Sequence, residues 1–157
     1  VTTSCGACNH PDLSVYSIHG TQNSLSVNFS HDDLKRALDT MRSKMILFQK
    51  TGGCHGAALL DSSGDVAYVS EDIGRHNAVD KTIGRALFSG ISVFNEYTLL
   101  LSGRCGWDIV AKAARIGVFS IASVGAFSSA ALDLARANGI SLYGFVRESG
   151  AWKAGIN

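Results

Sequence analysis

The chain has 157 residues, 46% of them hydrophobic, and a formal net charge of +1 at pH 7. A chain of this size and apolar content predicts one folded domain with a substantial core. Its near-neutral charge argues against binding to nucleic acid or to a membrane surface, and its longest apolar runs are too short to cross a bilayer.

The first segment, residues 1–29, is predicted to be an exposed loop that carries Cys5-Gly6-Ala7-Cys8. A C-x-x-C motif occurs in zinc sites, in thiol–disulfide pairs and in carriers of reactive sulfur, and no predicted strand or helix precedes this one to decide among them. The chain has four cysteines, which are too few and too widely spaced for a disulfide scaffold and favour a thiol protein of the cytoplasm. Because the sequence begins at Val1 rather than Met, we expect that an N-terminal region precedes it.

The second segment, residues 30–157, is predicted to be an α/β domain that opens with a helix. Apolar residues recur at helical spacing over residues 34–48, Ser30 is a suitable N-cap, and Asp33 completes an S-x-x-D start. The helix is predicted to continue until the glycines of residues 51–53 end it.

A hairpin and then alternating helices and strands follow. The pattern predicts hairpin strands at 57–61 and 65–70, helices at 77–88, 107–116 and 128–138, and strands at 97–102, 118–124 and 140–146. Strands that alternate with short helices are joined by right-handed crossovers. We therefore expect an α/β, three-layer fold with a mostly parallel mixed sheet and an initial hairpin.

The motif-rich stretches are predicted to fall on one edge of this sheet. Ligands of open α/β sheets bind outside the carboxyl ends of the parallel strands. Those ends carry "SEDIGRHN", "SGRCG", "VGAFSS" and "VRESG", with "TGGCH" beside them at the start of the antiparallel strand. We expect Arg75 and His76 to face a polar ligand, and Gly103 and Arg104, at a helix start, to suit phosphate oxygens. The alternative interpretation of the first stretch is helix capping by Asn77 with surrounding ion pairs.

The spacing of possible ligands does not favour a zinc site. A deaminase-type site needs a Glu two residues after its first His or Cys ligand, and Cys54-His55 is followed by no such Glu. A structural site would need two ligands besides the N-terminal cysteines, and the chain offers no second close pair. We therefore predict no resident metal, and we interpret Cys54 and Cys105 as small buried hydrophobic residues and His31 as a surface residue.

Five stretches taken together, "SCGAC", "TGGCHGAALL", "EDIGRHNAVDKTIG", "LSGR…VAKAARIG" and "GFVR", resemble the FdhD family, the sulfurtransferase accessory proteins of formate dehydrogenase. The resemblance runs from Ser4 to about Arg147. It implies a fold similar to that of cytidine deaminases without their zinc chemistry. It also implies that residues 30–157 form a cofactor-binding domain, the C-terminal main domain of a protein whose N-terminal region is missing here.

In functional terms, the resemblance implies a sulfur carrier with sulfurtransferase activity. Cys5 matches the cysteine that accepts a persulfide from a cysteine desulfurase, and Cys8 matches its partner. The sulfur then passes to Mo-bis(molybdopterin guanine dinucleotide), or to its tungsten counterpart, a bound substrate that later enters formate dehydrogenase. The cofactor-contact segment of the family matches Phe145-Val146-Arg147-Glu148-Ser149-Gly150. The expected assembly is a cytoplasmic homodimer.

Two alternatives from other functional classes stay open. One is a non-catalytic, cofactor-binding chaperone whose cysteines only tether a partner, and the other is a zinc-dependent, deaminase-like hydrolase. The chain also departs from the family pattern after Arg147, where the family often has a second Arg and this chain reads "ESGAWK". That departure concerns how the C-terminus contacts the cofactor.

Overall fold

The structure, a computed structural model, describes residues 28–147 and 149–154. Cys5, Cys8 and Glu148 lie outside the described residues. The elements in chain order are α1 (His31–Ser43), α2 (Ile46–Thr51), β1 (His55–Leu60), β2 (Val66–Asp72), α3 (Arg75–Phe88), β3 (Thr98–Leu101), α4 (Trp107–Ile116), β4 (Ser120–Ser123), α5 (Ser129–Ala137), β5 (Ser141–Arg147) and β6 (Gly150–Ala154).

The strands form one six-stranded mixed sheet in the order β2-β1-β3-β4-β5-β6. β3, β4 and β5 are parallel neighbours, β1 is antiparallel to both β2 and β3, and β6 is antiparallel to β5. Strands β2, β3, β4 and β5 therefore run in one direction, and β1 and β6 run opposite to them. The predicted α/β fold with an initial hairpin is confirmed, whereas β6 is an additional strand that the sequence pattern did not indicate.

The sheet is the middle of three layers because its side chains alternate between two apolar cores. Leu99 and Leu101 of β3 belong to the larger core, under α3, α4 and α5, and Leu100 between them belongs to the smaller core, under α1. This period of two is what a strand buried on both faces requires. Within the described ranges, every helix is too short or too polar to cross a membrane.

The first predicted helix is in fact two helices. Ser30 forms the expected capping box with Asp33 at the start of α1, but the helix ends at Ser43, and Met45 adopts a non-helical conformation before α2. Met45 is 1% exposed and packs over Gly56, where a Cβ would stand 2.5 Å from the methionine sulfur. The prediction of one helix through residue 51 is therefore wrong. The interruption directs the Met45 side chain into the core, whereas a continuous helix would have directed it elsewhere.

Strand β2 is an outer strand of the described sheet, and cationic side chains donate hydrogen bonds to its backbone carbonyl oxygens. Lys81 and Arg85 belong to α3, and Lys44 directly follows α1. The three hydrogen bonds join Lys44 to the carbonyl of Val66 at 2.9 Å, Arg85 to that of Val69 at 2.5 Å, and Lys81 to that of Glu71 at 3.2 Å. Such charged cover is typical of protected sheet edges.

Candidate functional site

The loops that follow β3 and β4 lie side by side at the carboxyl edge of the sheet, as the predicted topology requires. The backbone N–H of Cys105 donates to the carbonyl of Ala126 at 2.9 Å, and that of Ser128 donates to the carbonyl of Cys105 at 3.2 Å. Gly125 permits this approach, because a Cβ there would stand 2.9 Å from the carbonyl carbon of Gly103. The sheet therefore brings these two motifs together.

Backbone N–H groups at the starts of α4 and α5 have partners within the protein. Ser128 accepts from the N–H of Ala131 at the start of α5, and Asp108 accepts from the N–H of Ile109 at the start of α4. Helix α5 thus has a side-chain N-cap, whereas the N-cap residue of α4, Gly106, supplies none. The hydrogen bonds of the two loops and helix starts occupy the N–H groups of Cys105, Ser128, Ile109 and Ala131. The expected contact of Gly103 and Arg104 with phosphate oxygens stays a prediction.

A cavity of about 470 Å³ opens between α1 and the carboxyl edge. Its apolar wall consists of Leu38, Met41, Met45, Phe48, Val124 and Val146. Its polar side chains are Lys35, Asp39, Arg42, Cys54, His55, Ser102 and Arg147. An apolar wall combined with convergent polar groups is a common form of small-molecule site, and we define this cavity as the edge pocket.

The edge pocket contains part of the predicted cofactor-contact segment. Val146 and Arg147 line it, whereas Phe145, Ser149 and Gly150 stand beside them at the end of β5, the following turn and the start of β6. Phe145 has a positive φ of 51°, and β5 pairs irregularly with β6 at this point. Its N–H donates to the carbonyl of Gly125, so the irregular strand is fastened to the neighbouring loop.

Two arginines line the edge pocket, and each lies over a phenyl ring. The guanidinium carbon of Arg42 is 5.4 Å from the ring centre of Phe48, and that of Arg147 is 5.7 Å from the ring centre of Phe145. Neither arginine forms an ion pair with a carboxylate among the described residues. A cation held on an aromatic face keeps the N–H groups at its edge available to an anion.

Helix α1 supplies pocket residues that the sequence analysis missed. Lys35, Asp39 and Arg42 recur at helical spacing next to the apolar stripe of α1, which was the available signal. His31, interpreted as a surface residue, donates from Nε2 to the carbonyl oxygen of Arg147 at 2.7 Å. The start of α1 is therefore tied to the predicted contact segment.

Arg75 and His76 lie outside the edge pocket. Both contact the carboxylate of Asp108 at the start of α4, with 3.9 Å between Arg75 Nη2 and Asp108 Oδ2. Asp108 is 7% exposed, so this cluster joins α3 to α4 within the layer opposite α1. The structure therefore does not bring Arg75 and His76 into the edge pocket with Arg147, and their expected contact with a polar ligand stays a prediction.

The rest of the "EDIGRHN" stretch organises the turn into α3. Asp72 accepts from the N–H of Gly74 at 2.9 Å and from the side-chain amide of Asn77 at 3.1 Å, and it pairs with Lys81. The Lys81 ammonium, followed by the other two donors, holds the pKa of Asp72 at about 2. The interpretation by capping and ion pairs describes this turn, with Asp72 rather than Asn77 as the central residue.

The two described cysteines differ in environment. Cys105 is 1% exposed, and burial raises the pKa of its thiol to about 12, so it is a small buried hydrophobic residue as predicted. Cys54 is instead half-buried and lines the edge pocket, next to His55. The ring of His55 fits because Gly103 lacks a Cβ, which would stand 3.0 Å from His55 Nδ1. Arg104, next in the chain, is exposed.

Within residues 28–147 and 149–154, no three His, Cys, Asp or Glu side chains gather as metal ligands would. Because Cys5 and Cys8 lie outside these ranges, the absence of a resident metal stays a prediction.

Three comparisons relate the chain to known proteins. A model described as the FdhD/NarQ family matches residues 1–152. Two relatives, each named "Sulfur carrier protein FdhD", are from Picrophilus torridus (41% identical over 151 residues, 95% of this chain and 57% of the relative) and Streptomyces avermitilis (39% over 152 residues, 93% and 53%). A solved structure from Desulfotalea psychrophila, provisionally described as a formate dehydrogenase accessory protein, is similar with a TM-score of 0.73 and 32% identity, over 80% of this chain and 56% of that one. The chain thus spans slightly more than half the length of these relatives.

Proposed function

The chain belongs to the FdhD/NarQ family, and from this premise we propose that it acts as a sulfur carrier in the maturation of formate dehydrogenase. Curated relatives named sulfur carrier proteins, and a structural relative described as a formate dehydrogenase accessory protein, support this role. The proposed donor is a cysteine desulfurase, and the proposed acceptor is Mo-bis(molybdopterin guanine dinucleotide) or its tungsten counterpart, bound as substrate. The four cysteines, too few for a disulfide scaffold, support action in the cytoplasm.

The proposed chemistry is thiol exchange at the C-x-x-C motif. The Cys5 thiolate attacks the outer sulfur of the persulfide on the desulfurase, the S–S bond breaks, and the desulfurase leaves as a thiolate. Cys5 then carries the persulfide. Attack by the Cys8 thiolate on the inner sulfur releases hydrosulfide and leaves a Cys5–Cys8 disulfide, which a dithiol reductant returns to two thiols. A loop platform suits a group that must visit two active sites.

The observation that carries the proposal for acceptor binding is the edge pocket. It places Val146 and Arg147 of the predicted contact segment in one cavity with two more cationic side chains. Its volume of about 470 Å³ lies within the range of roughly 300–1,000 Å³ typical of small-molecule sites. That size suits one nucleotide or one pterin portion of the acceptor rather than the whole bis-dinucleotide.

Mass spectrometry tests the proposed function directly. After incubation with a cysteine desulfurase and cysteine, the wild-type chain is expected to gain one sulfur atom on Cys5, whereas Cys5→Ala remains unmodified and the control Cys105→Ala gains the sulfur normally. A wild-type chain that gains no sulfur, together with full formate dehydrogenase maturation by Cys5→Ala, would instead establish the non-catalytic chaperone. A zinc content near one per chain, abolished by Cys5→Ala, would establish the zinc-dependent alternative.

A further inference from the structure

We propose that Arg42 is a second anion-binding residue of the edge pocket, and that Arg42 and Arg147 together bind the phosphate or diphosphate group of a ligand whose planar ring packs on the apolar wall. The inference deepens the proposed function, on which it rests for the identity of the physiological ligand. Arg42 belongs to α1, far in sequence from the contact segment that contains Arg147.

The charges of the pocket favour an anion. Among the described residues that line it, Lys35, Arg42 and Arg147 are cationic and Asp39 is the one carboxylate. Lys35 and Asp39 pair with each other at 2.7 Å, which leaves two positive charges, both on guanidinium groups. Guanidinium binds phosphate oxygens in a bidentate manner, with better geometric match than an ammonium.

The position of each guanidinium is fixed in a similar way. Phe48 lies under Arg42 and Phe145 under Arg147, at 5.4 and 5.7 Å, so side-chain freedom is partly lost before a ligand arrives. The main chain of Arg147 is held in addition by His31. Side chains ordered before binding lower the entropic cost of association, and this suits a pair of cations that must converge on one group.

The apolar wall indicates what the anion is attached to. Leu38, Met41, Phe48 and Val124 border the same cavity as the two arginines, and such a surface gains free energy by covering a flat heterocycle. A free inorganic anion would leave this wall exposed to water. The geometry therefore favours a ring that bears a diphosphate, such as a nucleoside diphosphate, over inorganic diphosphate alone.

Calorimetry on the 157-residue chain tests the role of Arg42, with guanosine diphosphate and inorganic diphosphate as separate probes. Loss of a charge-assisted contact of about 1.5–3 kcal/mol predicts a ten- to hundredfold weaker affinity for guanosine diphosphate in Arg42→Ala and in Arg147→Ala. Arg42→Lys is expected to recover part of the loss, because the charge remains without the planar fork. The matched control is Arg136→Ala, since Arg136 belongs to α5 in the opposite layer and is expected to leave the affinity unchanged.

Alkylation of Cys54 locates the ligand independently of affinity. In a Cys5→Ala/Cys8→Ala chain, bound guanosine diphosphate is expected to slow the alkylation of Cys54, because this thiol lines the same cavity. Inorganic diphosphate is expected to bind more weakly and to protect less. Equal binding of the two probes would overturn the assignment of a ring to the apolar wall.

The remaining outcomes separate this inference from the proposed function. Unchanged affinity in folded Arg42→Ala, with Cys54 still protected, would overturn the role of Arg42 and leave the pocket as the ligand site. No binding of either probe, with the Cys5 persulfide still formed, would overturn the anion site and leave the sulfur carrier standing. Binding as predicted without any persulfide would leave the anion site standing and overturn the carrier. Thermal unfolding of each variant establishes that it is folded.

Discussion

The carboxylate of Glu71, in β2, accepts a hydrogen bond of 2.7 Å from the backbone N–H of Phe48, in the first turn of α2. The same carboxylate accepts from the N–H of Leu47 at 2.9 Å. Helix α2 has six residues and receives no side-chain cap from its own N-cap residue. The carboxylate of Glu71, from β2, therefore accepts the hydrogen bonds that an N-cap side chain would otherwise accept. Since Phe48 carries the guanidinium of Arg42 on its ring, this cap also fixes one wall of the edge pocket.

We expect Glu71→Ala to lower the free energy of unfolding by about 1–2 kcal/mol, because a charged cap and two hydrogen bonds are lost. Glu71→Gln should lose less, since one oxygen still accepts. Urea denaturation measures both. Glu96→Ala, at an exposed position before β3, serves as the control, and a Glu71→Ala variant as stable as that control would contradict the capping role.

Gly125→Ala is expected to destabilise the protein by about 1–3 kcal/mol, because a Cβ there meets backbone rather than movable side chains. The added carbon would stand 2.9 Å from the carbonyl carbon of Gly103 and 3.0 Å from the nitrogen of Arg104. Gly84→Ala is the matched control. Nothing lies within 4 Å of a Cβ at that helical position, so it should stabilise by up to about 1 kcal/mol. Thermal unfolding that ranks the two variants in the opposite order would refute the close packing of the two loops.

The depressed pKa of Asp72 predicts a dependence of stability on acid pH. The Lys81 ammonium, the Gly74 N–H and the Asn77 amide hold this pKa at about 2, below its usual value of 3.8. Because the folded value is the lower one, the contribution of Asp72 is fully present above the unfolded pKa and is lost as pH falls from about 4 towards 2. Urea midpoints measured across this range should fall less steeply for Asp72→Asn than for wild type. Lys81→Ala raises the folded pKa of Asp72 towards its usual value, so the loss of stability should be smaller and complete at a higher pH. Identical profiles for all three chains would disprove the pairing.

Cys54, which is half-buried, and Cys105, which is buried, should differ in reactivity towards an alkylating reagent. In the Cys5→Ala/Cys8→Ala chain at neutral pH, we expect peptide mapping to find modified Cys54 and unmodified Cys105, because the Cys105 thiol is inaccessible and its pKa is raised to about 12. With all four cysteines present, Cys5 is expected to react first. Modification of Cys105 ahead of Cys54 in the native protein would show that the core around β3 opens more readily than its packing indicates.

Local sequence signals predicted much of the fold because most elements here follow them. The capping box at Ser30 and the period of two in β3 are properties of neighbouring residues, and both are confirmed. The break at Met45 and the cap by Glu71 depend on contacts between segments distant in sequence, which no local pattern reports. Strand β6 was missed for the same reason, since its pairing with β5 rather than its composition makes it a strand.

The candidate site was predicted in part. Topology alone placed the motif-bearing loops on one edge, and Arg147 is found in a pocket there. Topology does not say which layer a side chain enters, so it could not separate Arg75 and His76, which contact Asp108 in the other layer, from the residues of the edge pocket. The contribution of Arg42 required knowledge of how α1 crosses the sheet.

The cationic cover of β2 has a consequence for how the protein behaves at high concentration. Phe88 is 97% exposed and Leu47 is 51% exposed, and both flank this outer strand, so the surface combines apolar side chains with the border of a sheet, the combination from which intermolecular β-aggregates grow. An incoming chain would have to displace Lys44, Lys81 and Arg85 before it could reach the carbonyls that they occupy. These three side chains therefore protect the protein against aggregation at high concentration, independently of any role in sulfur chemistry.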